Sequence, residues 1–174
     1  MELLVDAPDE ELLRAGDTGA LVRRYYGPVF GLVKRLLGDA AEARDAAQET
    51  FVRALAHLKE FDPTRSFRTW VFTIAANYAR DVLRKRKAVP LEPDVQESLP
   101  ELSPPDEKAL RAENREQLRA SIDGLPFDLK VAVVLHFQHE LSPSEVAAAL
   151  GITPNAVRIR LYRALVLLRK EIGR

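Results

Sequence analysis

The sequence predicts an all-α protein of two small helical domains, joined by a proline-rich acidic linker, with a helix-turn-helix in the second domain. Three observations carry that prediction. Apolar residues recur at helical spacing over most of the chain, and nowhere do they alternate as a half-buried strand requires. Pro90, Pro93, Pro100, Pro104 and Pro105 crowd residues 88–107, where missing N–H donors and the extended bias of each preceding residue leave neither helix nor strand. The 26 basic and 26 acidic side chains cancel overall but are sorted: residues 61–87 carry a net +5, residues 88–107 a net −6 and residues 153–174 a net +5. The expected division is therefore 1–87, 88–107 and 108–174.

The elements follow in order. Leu21, Val22, Tyr25, Tyr26, Val29, Phe30, Val33, Leu36 and Leu37 form one apolar stripe, interrupted by Gly27 and Pro28, which predict a kink or break. Gly38 is the stop. A second helix is expected from about Ala40 to Leu58, burying Ala43, Ala47, Phe51, Leu55 and Leu58. Asp62 and Pro63 mark a loop over 60–66. A third helix runs from Phe67 to about Lys87 with Phe67, Trp70, Val71, Ile74, Tyr78 and Val82 on one face, where Trp70 reads as core. The twenty-residue linker reaches at most about 70 Å, roughly two turns of DNA at ~35 Å each. Beyond it, Leu110–Ile122 is a helix ending near Gly124, and Phe127–Glu140 is another. Ser142, Pro143 and Glu145 then spell a capping box with proline at the first helical position, and this helix ends at Gly151. Thr153 caps the last helix, with Pro154 again at its first position, and the helix extends towards Ile172.

The span from Pro143 to Leu161 fits a helix-turn-helix. Ala147 allows close helix approach, Gly151 suits the left-handed backbone of the turn, and Val146, Leu150, Ile152 and Val157 supply the apolar contacts. Asn155, Arg158, Ile159, Tyr162 and Arg163 point away from the Val157, Leu161, Leu165 and Leu168 stripe, which makes them candidates for the major groove. Arginine binds guanine bidentately, and an isoleucine meets a thymine methyl. An αα-hairpin docked on another protein, its arginines merely solvated, is the alternative.

Other functions find little footing. Apolar residues are 47%, charged residues 30% and aromatic residues 7%, a soluble globular profile. The longest apolar runs, such as Val131–Leu135, are four or five residues, so no membrane insertion is expected. Asp6, Asp9, Glu10 and Glu11 stand where a secretory leader would be apolar, so a cytoplasmic location is expected. With no cysteine there is no disulfide framework and no thiolate metal site. His136 and His139 are three apart but lack an HExxH or His-rich context, and His57 is alone. No phosphate loop, dinucleotide fingerprint or nucleophile elbow occurs. The expectation is therefore a non-enzyme without cofactors.

Three stretches carry a family resemblance. The first holds Asp45, Gln48, Glu49, Phe51 and Leu55. The second runs from Phe67 through Trp70, Ile74 and Asn77 to Asp81, Arg84 and Arg86. The third runs from Leu125 and Pro126 through Leu150, Gly151 and Ile152 to Val157, Arg160, Leu161, Arg163 and Ala164. In this order and spacing the chain resembles a bacterial RNA polymerase sigma factor of the extracytoplasmic-function subfamily, the short kind that keeps regions two and four. The resemblance implies that Asp45, Gln48 and Glu49 dock on the polymerase core enzyme. It implies that Phe61 and Asn77 hold a flipped base of the single-stranded minus-ten element, beside phosphates met by Arg80, Arg84, Lys85 and Arg86. It assigns Arg158, Ile159, Arg160, Tyr162 and Arg163 to the duplex minus-thirty-five element; the helix face adds Asn155 and suits Arg160 to a phosphate better than a base. It further implies an anti-sigma factor as a restraining partner and promoter recognition leading to DNA melting and initiation. The acidic linker is expected to thread a basic channel of the core. Arg44 departs from the pattern, standing where the family usually has an acid. An autonomous helix-turn-helix regulator and a helical scaffold for acidic partners are the rival readings.

Overall fold

The computed structural model describes residues 7–86 and 115–172, and every regular element among the described residues is a helix, without strands. The chain divides into two compact units. The proline-rich linker, the expected end of the third helix at Lys87 and the expected start of the next at Leu110 lie outside the described residues.

The first unit holds four helices. Helix α1 (Asp9–Ala15), which the apolar pattern did not announce, begins after Pro8 and ends at Gly16 with φ +69°. Its first turn carries Asp9, Glu10 and Glu11, acids that favour the positive end of a helix dipole, and Leu12 is fully buried. Helix α2 (Thr18–Leu37) starts where the Asp17 carboxylate accepts from the Ala20 N–H at 2.9 Å and ends at Gly38, φ +84°. Of the kink or break expected at Gly27 and Pro28, the break does not occur; α2 runs through both. A mid-helix proline costs about 3 kcal/mol, but both residues are exposed, and neighbouring Tyr25, Val29, Leu32 and Val33 are all buried, each contributing roughly 1.5–3 kcal/mol.

Helix α3 (Ala40–Ala56) is capped by Asp39, whose carboxylate accepts from the Glu42 N–H at 2.8 Å; it stops two residues before Leu58, where one 3-10 turn (Leu58–Glu60) follows. Its buried residues are Ala43, Ala46, Ala47, Thr50, Phe51 and Ala54. The expectation that Leu55 and Leu58 are core is corrected: Leu55 is 40% exposed and Leu58 is half-buried. The reason is angular. Steps of four advance about 40° around a helix with 3.6 residues per turn, so a row of fours starting at Ala43 has turned out of the core by Leu55, while the true stripe closes through Ala54. Helix α4 (Phe67–Lys85) is capped by Ser66, whose hydroxyl accepts from the Thr69 N–H. Helices α2, α3 and α4 pack on one another, and α1 leans on α2.

The second unit holds α5 (Arg115–Asp123), α6 (Phe127–Val133), α8 (Pro154–Ile172) and the start of α7 (Pro143–Leu150). The continuous helix expected over 127–140 is instead α6 followed by a wider π turn (Val134–Gln138). The His139 N–H reaches back five residues to the Val134 carbonyl at 3.1 Å, and Glu140 takes φ +55°. Helix α8 packs on α5 and α6.

Candidate nucleic-acid interface

Three outward faces take shape. On α3, Asp45 and Gln48 are exposed and Glu49 is half-buried. Spacing of three and four residues puts them on one stripe that continues through Val52, 61% exposed, and Leu55. Sequence reasoning found the polar half of this face and missed the apolar half, because Leu55 was assigned to the core. The Glu49 carboxylate accepts from Arg53 Nε at 2.8 Å, and the Arg53 guanidinium lies 4.8 Å from the centre of the Tyr78 ring on α4, a cation–π arrangement.

The second face lies along α4. Trp70, Asn77, Arg80 and Arg84 share a stripe at spacings of seven, three and four; Asn77 and Arg84 are exposed, Trp70 and Arg80 half-buried. The Asn77 Oδ1 accepts from Arg80 at 3.2 Å. Lys85 is also exposed, and so is Arg86, which pairs with Glu42 and donates to the Leu37 carbonyl at the end of α2 at 3.4 Å. Phe61 is 9% exposed. Its ring sits 4.8 Å from Trp70 and 5.7 Å from Phe67, so it supports the start of α4 from beneath. Asn77 lies about 10 Å further along the axis from Trp70, at 1.5 Å per residue. The loop between Phe61 and α4 is locked by Asp62, which accepts from the Thr64 N–H at 2.9 Å and from the Thr64 hydroxyl at 2.7 Å. Those hydrogen bonds hold the Asp62 carboxyl below its usual pKa range. Behind the cluster, the Tyr25 hydroxyl donates to Asp9 at 2.5 Å, and burial, more than the carboxylate beside it, raises the phenol well above its ordinary pKa.

The third face is the start of α8. The capping box forms as read: the Glu145 carboxylate accepts from the Ser142 N–H at 2.8 Å, and the Ser142 hydroxyl from the Glu145 N–H at 3.3 Å. Helix α7 ends in a left-handed Gly151, φ +66°, with the Ile152 N–H reaching the Ala147 carbonyl at 3.1 Å, a Schellman closure. The Thr153 hydroxyl then accepts from the Ala156 N–H at 3.1 Å. Val157, Leu161, Ala164 and Leu168 are buried; Asn155 and Arg158 are exposed; Ile159, Tyr162 and Arg163 are half-buried. Arg160 points elsewhere. Its guanidinium lies 3.7 Å from Asp128 on α6, and both side chains are 15% exposed. His136 Nδ1 donates to the Leu141 carbonyl at 2.7 Å, and no cluster of three or more metal-ligating side chains occurs among the described residues. No described helix is long and apolar enough to cross a membrane.

Residues 21–89 match the family model for Sigma-70 region 2, and residues 115–168 that for Sigma-70 region 4. The chain is 32% identical over 178 residues to the RNA polymerase sigma-H factor of Pseudomonas aeruginosa, covering 93% of this chain and 92% of that protein. It is 30% identical over 185 residues to the ECF RNA polymerase sigma factor SigW of Bacillus subtilis, covering 99% and 98%. Among solved structures, CnrH in complex with the cytosolic domain of CnrY is similar with a TM-score of 0.68 and 27% identity, covering 95% of this chain and 97% of that one.

Proposed function

The chain belongs to the extracytoplasmic-function RNA polymerase sigma factors, and from that premise we propose how its three faces divide the work of initiation. The α3 face, Asp45, Gln48 and Glu49 with Val52 and Leu55 beside them, docks on the core enzyme. Acids and an amide steer and register the encounter with basic core residues, while the two exposed aliphatic side chains supply apolar area at the contact. The α4 face takes the single-stranded minus-ten element. Asn77 both donates and accepts, as reading an unstacked base requires, and Arg84 and Lys85 meet phosphates. Phe61 acts from below, backing Trp70 and the 62–66 loop. Stacking at about 1–3 kcal/mol per base offsets the few kcal/mol of unpairing, so melting is driven by capture and the chain itself does no covalent chemistry.

The start of α8 reads the upstream duplex. Asn155 and Arg158 stand clear at the end of the helix that enters the groove, with Ile159, Tyr162 and Arg163 flanking them. Arg160 braces α8 on α6. Its restraining partner is an anti-sigma factor, as the complex of CnrH with CnrY illustrates for a relative, and it works where the core polymerase is, in the cytoplasm. The observation that carries this reading is the pairing of a region-two helix exposing Asn77 and Arg84 with a capped region-four helix exposing Asn155 and Arg158. Run-off transcription with core polymerase on a promoter library tests it. Promoter-specific transcripts that vanish with Asn155→Ala and Arg158→Ala are expected; specific duplex binding by the chain alone, with no transcript, would overturn it in favour of an autonomous regulator.

A further inference from the structure

We propose that helix α1 is a brace for minus-ten capture and that Asp9 and Tyr25 are positioning residues for it. This inference rests on the assignment of the minus-ten element to α4 and its preceding loop. Helix α1 precedes the residues matched to region 2, which begin at residue 21.

A continuous chain of contacts links α1 to the proposed capture site. The Asp9 carboxylate is shared: one oxygen accepts from Arg24 at 2.6 Å and the other from the Tyr25 hydroxyl at 2.5 Å. Arg24 also donates to the Ala7 carbonyl at 2.5 Å, so the entry to α1 is tied to α2 by the same guanidinium. Leu12, fully buried, fixes the middle of this short helix. The Tyr25 ring lies 5.6 Å from Phe67, and Phe67 lies 5.7 Å from both Phe61 and Trp70. Phe61 and Phe67 are the two hinges of the loop, one on each side of residues 62–66. Tyr25 is thus bonded at its polar tip to α1 and packed along its ring against the base of the loop. A phenol held at both ends cannot tilt, and rings within 4.5–7 Å of one another prefer few relative orientations. Releasing the tip lets Tyr25 rock, and Phe67 and Phe61 rock with it. The loss falls on the geometry of the loop, where small displacements weaken capture.

The test uses holoenzyme assembled from core polymerase and the full chain. Its probes are a fluorescent single-stranded oligonucleotide of the minus-ten element, fixed beforehand by run-off selection, and a set carrying one abasic site at each position. Tyr25→Phe keeps the ring and removes the hydrogen bond. It is expected to weaken binding of the intact oligonucleotide about 3- to 10-fold, the range a single hydrogen bond spans. The oligonucleotide abasic at the captured position, and core affinity, should not change. Asp9→Ala should act like Tyr25→Phe, and Asp9→Asn, which retains an acceptor oxygen for the phenol, should recover part of the loss. A merely structural role would weaken intact and abasic probes alike, and that result overturns the brace. So does wild-type binding by Tyr25→Phe alongside a clear loss with Asn77→Ala. If Asn77→Ala itself binds the intact probe normally, the minus-ten reading falls and the brace with it.

Discussion

Arg160 separates two readings of the same residue, a phosphate contact by sequence position and a brace by structure, and the difference is measurable. At 3.7 Å from Asp128, opposite charges attract by roughly 4 kcal/mol at an effective dielectric of 20. Both side chains are largely removed from water, and dehydration cancels most of that attraction. The separation also exceeds hydrogen-bond distance, so a net coupling of about 1 kcal/mol remains, at the upper end for exposed pairs. Asp128→Asn and Arg160→Gln should each destabilise the second unit, and the double variant should fall short of the sum of the two by about that amount. In a domain of this size 1 kcal/mol corresponds to about 4–8 °C in midpoint. The functional arm is salt dependence. A phosphate contact contributes about 0.9 to the slope of log affinity against log salt, so holoenzyme binding to an upstream duplex, followed by anisotropy at several salt concentrations, distinguishes the roles. A brace predicts that Arg160→Gln leaves the slope unchanged while Arg158→Gln lowers it. A slope reduced by about 0.9 in Arg160→Gln, with Asp128→Asn as stable as the parent, would refute the brace.

Leu55→Asp and Val52→Asp should weaken core binding about tenfold or more in a competition assay while leaving the thermal midpoint near that of the parent, since both side chains are exposed; surface substitutions of this kind usually stay within about 0.5 kcal/mol. Gly151→Ala should cost about 1–2 kcal/mol in denaturant unfolding, all of it backbone strain, because an added Cβ there meets nothing within 4 Å. Ser142→Ala should cost about 1 kcal/mol through the lost cap. Tyr25 gives a pH signature: its phenol is held protonated in the folded chain beyond its ordinary range, so the unfolded chain loses that proton first and stability falls as pH rises above about 10. Tyr25→Phe should remove that part of the alkaline slope in chemical denaturation measured from pH 9 upward.

What was legible in the sequence was local. The cap at Thr153, the box at Ser142 and Glu145 and the stops at Gly38 and Gly151 each depend on a few adjacent residues, and each forms as read. What was not legible depends on partners distant in the chain. Proline at position 28 signals a kink or break, yet α2 continues through it, packed on α3 and α4. Seven residues with three acids hardly resemble an amphipathic helix, and α1 is fixed by Arg24 and Tyr25, fifteen and sixteen residues beyond Asp9. The π turn after α6 leaves no mark in the apolar run that precedes it. For the sites, the family resemblance singled out Asp45, Gln48 and Glu49, and Asn77 with Arg84, but it could not show that Arg86 answers Glu42 or that Arg160 answers Asp128. Both partners lie on other helices.

Those pairings bear on why such a chain should need the polymerase at all. Counted in sequence, each of the two basic blocks carries a net +5. In the fold, Arg86 is engaged by Glu42, Arg160 by Asp128, and Arg80 bonds Asn77. Of the cations assigned to the proposed DNA faces, Arg84, Lys85 and Arg158 are exposed and lie outside those pairings, and they are split between two units. Three phosphate contacts give a salt slope near −2.7, so non-specific affinity falls about 40-fold between 50 and 200 mM salt, against roughly 10³- to 10⁵-fold for a protein with six to ten contacts. The absolute electrostatic pull is correspondingly small. On the proposed assignment neither face alone holds a promoter, and the proposed contacts at Asn77 and Asn155 become effective when core polymerase presents both elements at once, converting the second contact into an intramolecular one. On the proposed assignment, core dependence follows from how few of the cations on the DNA faces escape such pairings.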